Sequence, residues 1–371
     1  MKFNLKNIAL LLTASVGSLT NNAFAGNPER QGQAGAMQLT INGWARSSGT
    51  GWSNGGRVTG AESMFMNVGG LDRMANRTEL VFARTEWLMG SGIGINNLGF
   101  GVKMGEDGDK GTLGIQVMQF GIDPIDITTE ENPYGGIGTY RVNMTNIGVS
   151  YGKSFSKSIS AGVTARLVTE GIPDASATGM SLDAGVQYST TLLAGASKIK
   201  RNDFNFGVSV KNIGPDMSFR GDGLSYKAVI QNSPLTKTME VKTAAIKLPS
   251  MLNIAASYDI RLDKTAGVYD NRLTLGFAFT NHSFSANQTT VSAEYSYKEM
   301  LSVRGGFCYQ NGIFGDEAGY TTAYTGPMAG VSYDFKLNDE NLVSLDYSYR
   351  ASNFFSGTHS FGIRIGLGKS E

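Results

Sequence analysis

The sequence predicts an all-β protein. The expected architecture is a transmembrane antiparallel up-and-down β-barrel of about 14 strands, with an N-terminal plug segment. Three observations predict it. Residues 342–367 alternate apolar and polar side chains with period two: Val343, Leu345, Tyr347 and Tyr349 on one face, then Phe361, Ile363, Ile365 and Leu367 after a short tip. Period two means strands with two unlike faces. Both strands are about ten residues long, the length that crosses a bilayer at a tilt. Beyond the first 25 residues no stretch is long and apolar enough for a membrane helix, and mean hydropathy is −0.15. A barrel tolerates that value because half of each strand is polar. A spanning strand cannot leave an open edge in lipid, so the last strand has to pair with the first.

Residues 1–25 read as a secretory signal. Lys2 and Lys6 precede the apolar run Ile8–Leu19, and Ala23-Phe24-Ala25 is a small-residue cleavage site after Ala25. The formal charge of +1, less those two lysines, leaves −1 for the mature chain. Nothing there points to nucleic acid. Glycine supplies 49 of 371 residues and proline 8. The glycine share exceeds the usual value of about 7%, and it suits bent strands around a crowded lumen.

Residues 26–77 carry Trp44, Trp52 and an apolar patch at Met37–Ile41 within Gly-, Ser- and Asn-rich chain. We read them as a packed plug, with a short helix over 61–74 that ends at Gly69-Gly70. The barrel is expected over 78–371. Its strands are expected near 78–89, 94–104, 111–121, 143–153, 158–169, 178–190, 203–213, 250–260, 271–281, 289–298, 301–310 and 325–337, followed by the final hairpin. The long connections, 122–142, 214–249 and 311–324, all follow odd-numbered strands. Short turns follow strands 4, 10 and 12. Outer-membrane barrels place long loops outside and short turns in the periplasm, so the parity supports an even strand count. Arg166, Lys211, Glu294, Lys298, Arg304, Asp346, Arg350 and Arg364 are expected on the lumen face, where opposite charges pair.

No catalytic, cofactor or metal motif emerges. Gly51-Trp52-Ser53-Asn54-Gly55 matches the G-x-S-x-G pattern but lacks the strand–turn–helix context a nucleophile elbow needs. Only two histidines, His282 and His359, and one cysteine, Cys308, are present, far apart in sequence. They do not form a Cys/His metal spacing. Asp123/Asp126 and Glu130/Glu131 read as solvated loop acids.

Three stretches carry a family resemblance. Ala61–Met74 running into the first strand resembles the plug–strand junction of fatty-acid-transporter-like barrels, with Asn67, Gly69, Gly70 and Leu71 at the matching places. Val68 stands where proline is usual. Thr78–Trp87 resembles the first strand of the PorV/PorQ branch, and Val343–Ile365 resembles its last hairpin. The resemblance implies a non-enzymatic outer-membrane component of type IX secretion. Its partners would be a large outer-membrane translocon barrel, secreted cargo with a C-terminal signal domain, and outer-membrane lipid. The wider superfamily implies an alternative, transport of hydrophobic small molecules. Exposed loops on a rigid scaffold carry binding, and aromatics concentrate at interfaces. Tyr134, Tyr140, Phe219, Tyr226, Phe314, Tyr320 and Tyr324 are therefore the expected partner contacts.

Overall fold

In the computed structural model, fourteen long antiparallel strands close into one barrel. The structure describes residues 28–106, 108–191, 203–229, 235–263, 270–314, 325–338, 340–353 and 355–369. The signal segment, Tyr320 and Tyr324 lie outside them.

The strands are β1 (Asn76–Trp87), β2 (Ile93–Lys103), β3 (Thr112–Ile122), β4 (Asn143–Ser154), β5 (Ile159–Ile172), β6 (Ala175–Thr190) and β7 (Phe204–Ile213). They continue as β8 (Met251–Arg261), β9 (Asn271–His282), β10 (Gln288–Tyr297), β11 (Leu301–Gln310), β12 (Gly326–Lys336), β13 (Leu342–Arg350) and β14 (Thr358–Lys369). Each pairs with its sequence neighbours, and β1 closes on β14 from Asn76↔Lys369 to Glu86↔His359. Every strand expected from the sequence is present. The largest difference is between β5 and β6, whose pairing runs on to Ile172↔Ala175, leaving only Pro173-Asp174 as the turn. The apolar alternation in the sequence ends before the strands do.

Alternation sorts the two faces. Leu80, Phe82, Leu98, Phe100, Ile115, Val149, Leu182 and Ile363 are exposed on the outer wall, a band of apolar side chains without a protein partner. A soluble protein rarely leaves so continuous a patch, whereas a barrel in lipid requires it. The inner wall carries Gln116, Asn146, Arg166, Asn253, Arg304, Asp346 and Arg364, all buried.

The strand ends that bound the longest connections, 123–142, 214–250 and 311–325, lie on one rim, which is the outer rim by the loop-length rule. Two of them carry small sheets of their own. Ile125–Asp126 pairs with Thr139–Tyr140, and Ser225–Val229 pairs with Thr236–Glu240.

Residues 28–75 fill the lumen from rim to rim. The segment starts under the outer rim, where the Gly35 N–H donates to the Lys247 carbonyl and Arg30 stacks on Phe284. It ends at the opposite rim, where Arg73 and Asp72 reach the β4–β5 turn. The expected helix over 61–74 is not continuous. A turn at Gly60–Glu62 leads into a short helix at Ser63–Met66, Asn67 is extended at φ −155°, and Val68–Arg73 forms a 3-10 turn holding both glycines. The Asn67 side chain is the reason: its Oδ1 accepts from the Gly69 N–H at 3.1 Å and so starts a new turn.

Lys298 departs from expectation. It lies not in the lumen but in the exposed turn between β10 and β11, where Lys298 and Glu299 both have φ of +52°. That backbone favours Asn and Gly over other residues. Lys298→Asn should therefore stabilise the barrel by about 0.5–1 kcal/mol, read as a rise in the midpoint of heat-modifiable gel mobility. The Glu299 carboxyl in the same turn is held below its ordinary value. Burial pushes it up, but hydrogen bonds and charge from Arg272 and Arg261 outweigh that. Its contribution is present at neutral pH and is lost as pH falls below the ordinary value of 4.5. Glu299→Gln should flatten that acid-side loss in the same assay run against pH.

Candidate functional site: the plug and its seat

The plug packs a dense apolar knot against polar walls. Trp44, Met64, Phe65, Met66 and Leu71 are essentially inaccessible, and Trp52 stacks on Phe65 with ring centroids 5.9 Å apart. Around this knot every charged plug residue from Arg46 to Arg73 is anchored on the barrel wall. Arg46 Nε donates to Asp346 at 2.7 Å, and its Nη2 donates to Asp334 at 2.5 Å. Arg57 donates to Glu294 at 2.9 Å, and Arg304 donates to the same carboxylate at 2.9 Å. Glu62 accepts from Arg364 at 3.0 Å and from the Ser47 hydroxyl at 2.7 Å. Glu79 of β1 completes that group by accepting from Arg364 at 3.2 Å and from the Ala61 N–H at 2.7 Å.

At the short-turn rim Asp72 accepts from Thr112 Oγ1 and the Ser154 N–H, both at 2.6 Å. Arg73 donates to Ser160, Ser189 and the Ser158 carbonyl. The sequence placed the wall charges on the lumen face correctly for Arg166, Lys211, Glu294, Arg304, Asp346, Arg350 and Arg364. It missed that Arg46, Arg57 and Glu62 of the plug are their partners. Lone charges in an aperiodic segment gave no signal for this.

The junction residues meet at one place. Asn67 Nδ2 donates to the Gly55 carbonyl at 2.8 Å within the plug and to the Val186 carbonyl at 3.1 Å on β6. The wall makes room with Gly185 and Gly207, where an added Cβ would lie 2.1 Å and 2.7 Å from the Asn67 amide. A Cβ on Gly69 would lie 3.0 Å from the β6 backbone, and a Cβ on Gly70 would fall 1.9 Å from the Val58 carbonyl oxygen. Leu71 is fully buried in the knot. Asn67 and Gly69 thus lie against β6, with Gly207 of β7 beside the Asn67 amide, whereas Gly70 packs on the plug's own Val58 and Leu71 faces Gly114 of β3 and Gly152 of β4.

Strands β6 and β7 carry a register shift in their pairing, at Asp183 opposite Lys211 and Asn212. Asp183 accepts from Arg166 at 2.8 Å and from the Asn212 N–H at 2.7 Å. Lys211 Nζ lies 3.7 Å from the Phe65 ring centroid and 4.8 Å from that of Trp52. A buried ammonium over two aromatic faces is a cation–π contact, so this bulge also grips the plug.

Five of the expected loop contacts lie within the described residues. Tyr134 is 99% exposed, Phe314 79% and Tyr226 49%, whereas Tyr140 and Phe219 are half-buried within their own loops. Ser53 of the G-x-S-x-G stretch is buried, with its hydroxyl 2.6 Å from both the Thr50 carbonyl and Ser292 Oγ.

No known family matches the chain, and no curated protein does. Solved structures do. The Pseudomonas putida toluene transporter TodX superposes with a TM-score of 0.52 at 9% identity, over 89% of this chain and 99% of that one. A TodX monoaromatic hydrocarbon channel variant gives 0.50 at 10% identity, over 85% and 95%. The chain has the TodX fold.

If the ion pairs hold the plug, removing one partner should loosen it. Glu62→Ala leaves Arg364 with Glu79 alone and should cost about 3 kcal/mol of plug docking. In planar bilayers the wild type should be silent and the variant should flicker open. A silent, heat-modifiable variant would show that these charges do not hold the plug.

Proposed function

We infer that the chain is a non-enzymatic, gated outer-membrane barrel that handles hydrophobic small molecules. The observation that carries this reading is the likeness in fold, over nearly the whole of both chains, to a barrel described as a toluene transporter. An apolar nest at the outer rim agrees with it. Ala36 and Leu39 of the plug pack there with Val168, Ala177, Met217 and Leu248, beneath the 214–250 loop. An apolar guest entering this nest would take the place of the plug's own Leu39, and the lumen below would admit it only if the plug shifted.

A second reading has its own support. A PorV/PorQ-like component of type IX secretion would bind a translocon barrel and cargo at the outer rim and needs no path through the lumen. The filled lumen favours it, as does the resemblance at Asn67, Gly69, Gly70 and Leu71. Exposed Tyr134, Tyr226, Val229, Met239 and Phe314 on the outer loops would supply the contacts.

One experiment separates the two. The tagged protein is purified from its native outer membrane in mild detergent, and both co-purifying proteins and extracted lipophilic molecules are identified. The transport reading expects a lone barrel carrying an apolar ligand, lost when Leu39→Asp disrupts the nest. The secretion reading expects a large barrel or cargo, lost on deleting 214–249 while the barrel still folds. Absence of any apolar ligand, together with a specific protein complex, would overturn the first reading.

A further inference from the structure

Beneath the outer rim, between the plug and strands β9 to β13, lies a cavity of about 20 Å³. It has room for one water-sized guest. Its lining includes His282 at the end of β9, Gln288 of β10, Cys308 of β11, Met328 of β12 and Arg350 of β13. Three of these are soft or borderline donors: a thiol, a thioether and an imidazole. All three are buried, with Cys308 2% exposed and His282 and Met328 each 7%. His282 Nε2 has no hydrogen-bond partner. A buried, unpartnered imidazole nitrogen lining a cavity of one-guest size is an acceptor without its donor or its metal.

The three donors line the same small cavity, and shared neighbours link them. The Cys308 thiol donates to Gln288 Oε1 at 3.7 Å, and Gln288 also hydrogen-bonds His282. Met328 Sδ lies 3.0 Å from the point a Cβ on Gly51 would occupy, and Gly51 also lines the cavity. Thiolate and thioether ligands select soft ions, and imidazole accepts them.

Charge narrows the choice further. The Arg350 guanidinium borders the cavity, so an added dication would meet a fixed positive charge with only one thiolate to offset it. A monovalent soft ion avoids that problem. It replaces the thiol proton: the S–H bond breaks, the proton leaves to solvent, a sulfur–metal bond forms, and no electron is transferred. The net charge of the cavity is unchanged.

We propose that Cys308, His282 and Met328 form a binding site for one soft monovalent metal ion, Cu⁺ or its redox-inert analogue Ag⁺. The ion would staple β9, β11 and β12 together beside Gly51 and Trp52 of the plug. The bland occupant of such a cavity is a single water, and the two differ in what they predict for the sulfur atoms.

The test is a chelator-competition titration of the purified, detergent-solubilised full chain with Ag⁺. Wild type should bind one Ag⁺ per chain and no Zn²⁺. Cys308→Ser should abolish binding, and Met328→Leu and His282→Gln should each weaken it on the order of tenfold or more. Silver-edge X-ray absorption should show both sulfur and nitrogen ligands. Heat-modifiable mobility confirms that each variant is folded, and Met328→Leu keeps the core volume if His282→Gln does not fold. No binding, or binding unchanged in both Met328→Leu and His282→Gln, would overturn the site and leave a water-filled cavity or an adventitious thiol.

Discussion

A strand in a bilayer must satisfy both of its edges, and here that is done by pairing β1 with β14 across ten residue pairs or more. Closure solves the lipid side and creates a problem inside. Alternation that puts Leu80, Phe82 and Ile363 in lipid puts Glu79, Val81 and Arg364 in the lumen. Charges in a narrow interior need water or counter-charge. This chain supplies counter-charge by folding its own N-terminal segment through the barrel. Glu62 answers Arg364, Arg46 answers Asp346 and Asp334, and Arg57 shares Glu294 with Arg304. Wall and plug are therefore one electrostatic unit, and neither is satisfactory without the other.

The same dependence shapes the packing. A plug built from short turns exposes backbone polar groups that have to find partners on the wall. They approach where side chains are missing. Gly185 and Gly207 on adjacent strands open the slot that the Asn67 amide fills, and Gly69 and Gly70 let the plug backbone lie against β6 and against Val58. The glycine excess thus has a specific use at this seat, beyond easing strand curvature. Lys211, lifted out of register by the bulge at Asp183, adds a cation over Phe65 and Trp52 at the next contact down the same strands.

What the sequence showed follows from this division. Strands were legible because lipid outside and charge inside enforce a strict period of two, and the register of fourteen strands follows from it. Loop parity was legible because the long connections all follow odd-numbered strands and the turns after strands 4, 10 and 12 are short, which puts the two sets on opposite rims. The plug was legible only as apolar residues in aperiodic chain. Its turns are too short to print a helical period, so the expected helix over 61–74 was drawn through Asn67, whose side chain in fact ends one turn and starts the next. Ion-pair partners across the plug–wall interface are non-local and leave no spacing. Lys298 was misplaced because its alternation continues the strand pattern into the turn, where a left-handed backbone takes it out.

The distribution of these contacts also limits how the lumen could open. A ligand shifts a conformation only by its differential affinity for the two states. A small apolar molecule of about seven heavy atoms offers at most about 10 kcal/mol by the ligand-efficiency ceiling. Withdrawing residues 45–73 means parting several buried ion pairs, each resisting by about 3–5 kcal/mol when left without a partner. That exceeds what such a ligand supplies. Residues 28–42 are held differently, by apolar contact at Leu39, a backbone bond to Lys247 and the stack of Arg30 on Phe284. Those contacts are within reach of an apolar guest. A transport cycle in this barrel would therefore begin with the outer end of the plug and leave its charged lower part seated, whereas a partner-binding barrel would use that seated plug as the floor beneath its outer loops.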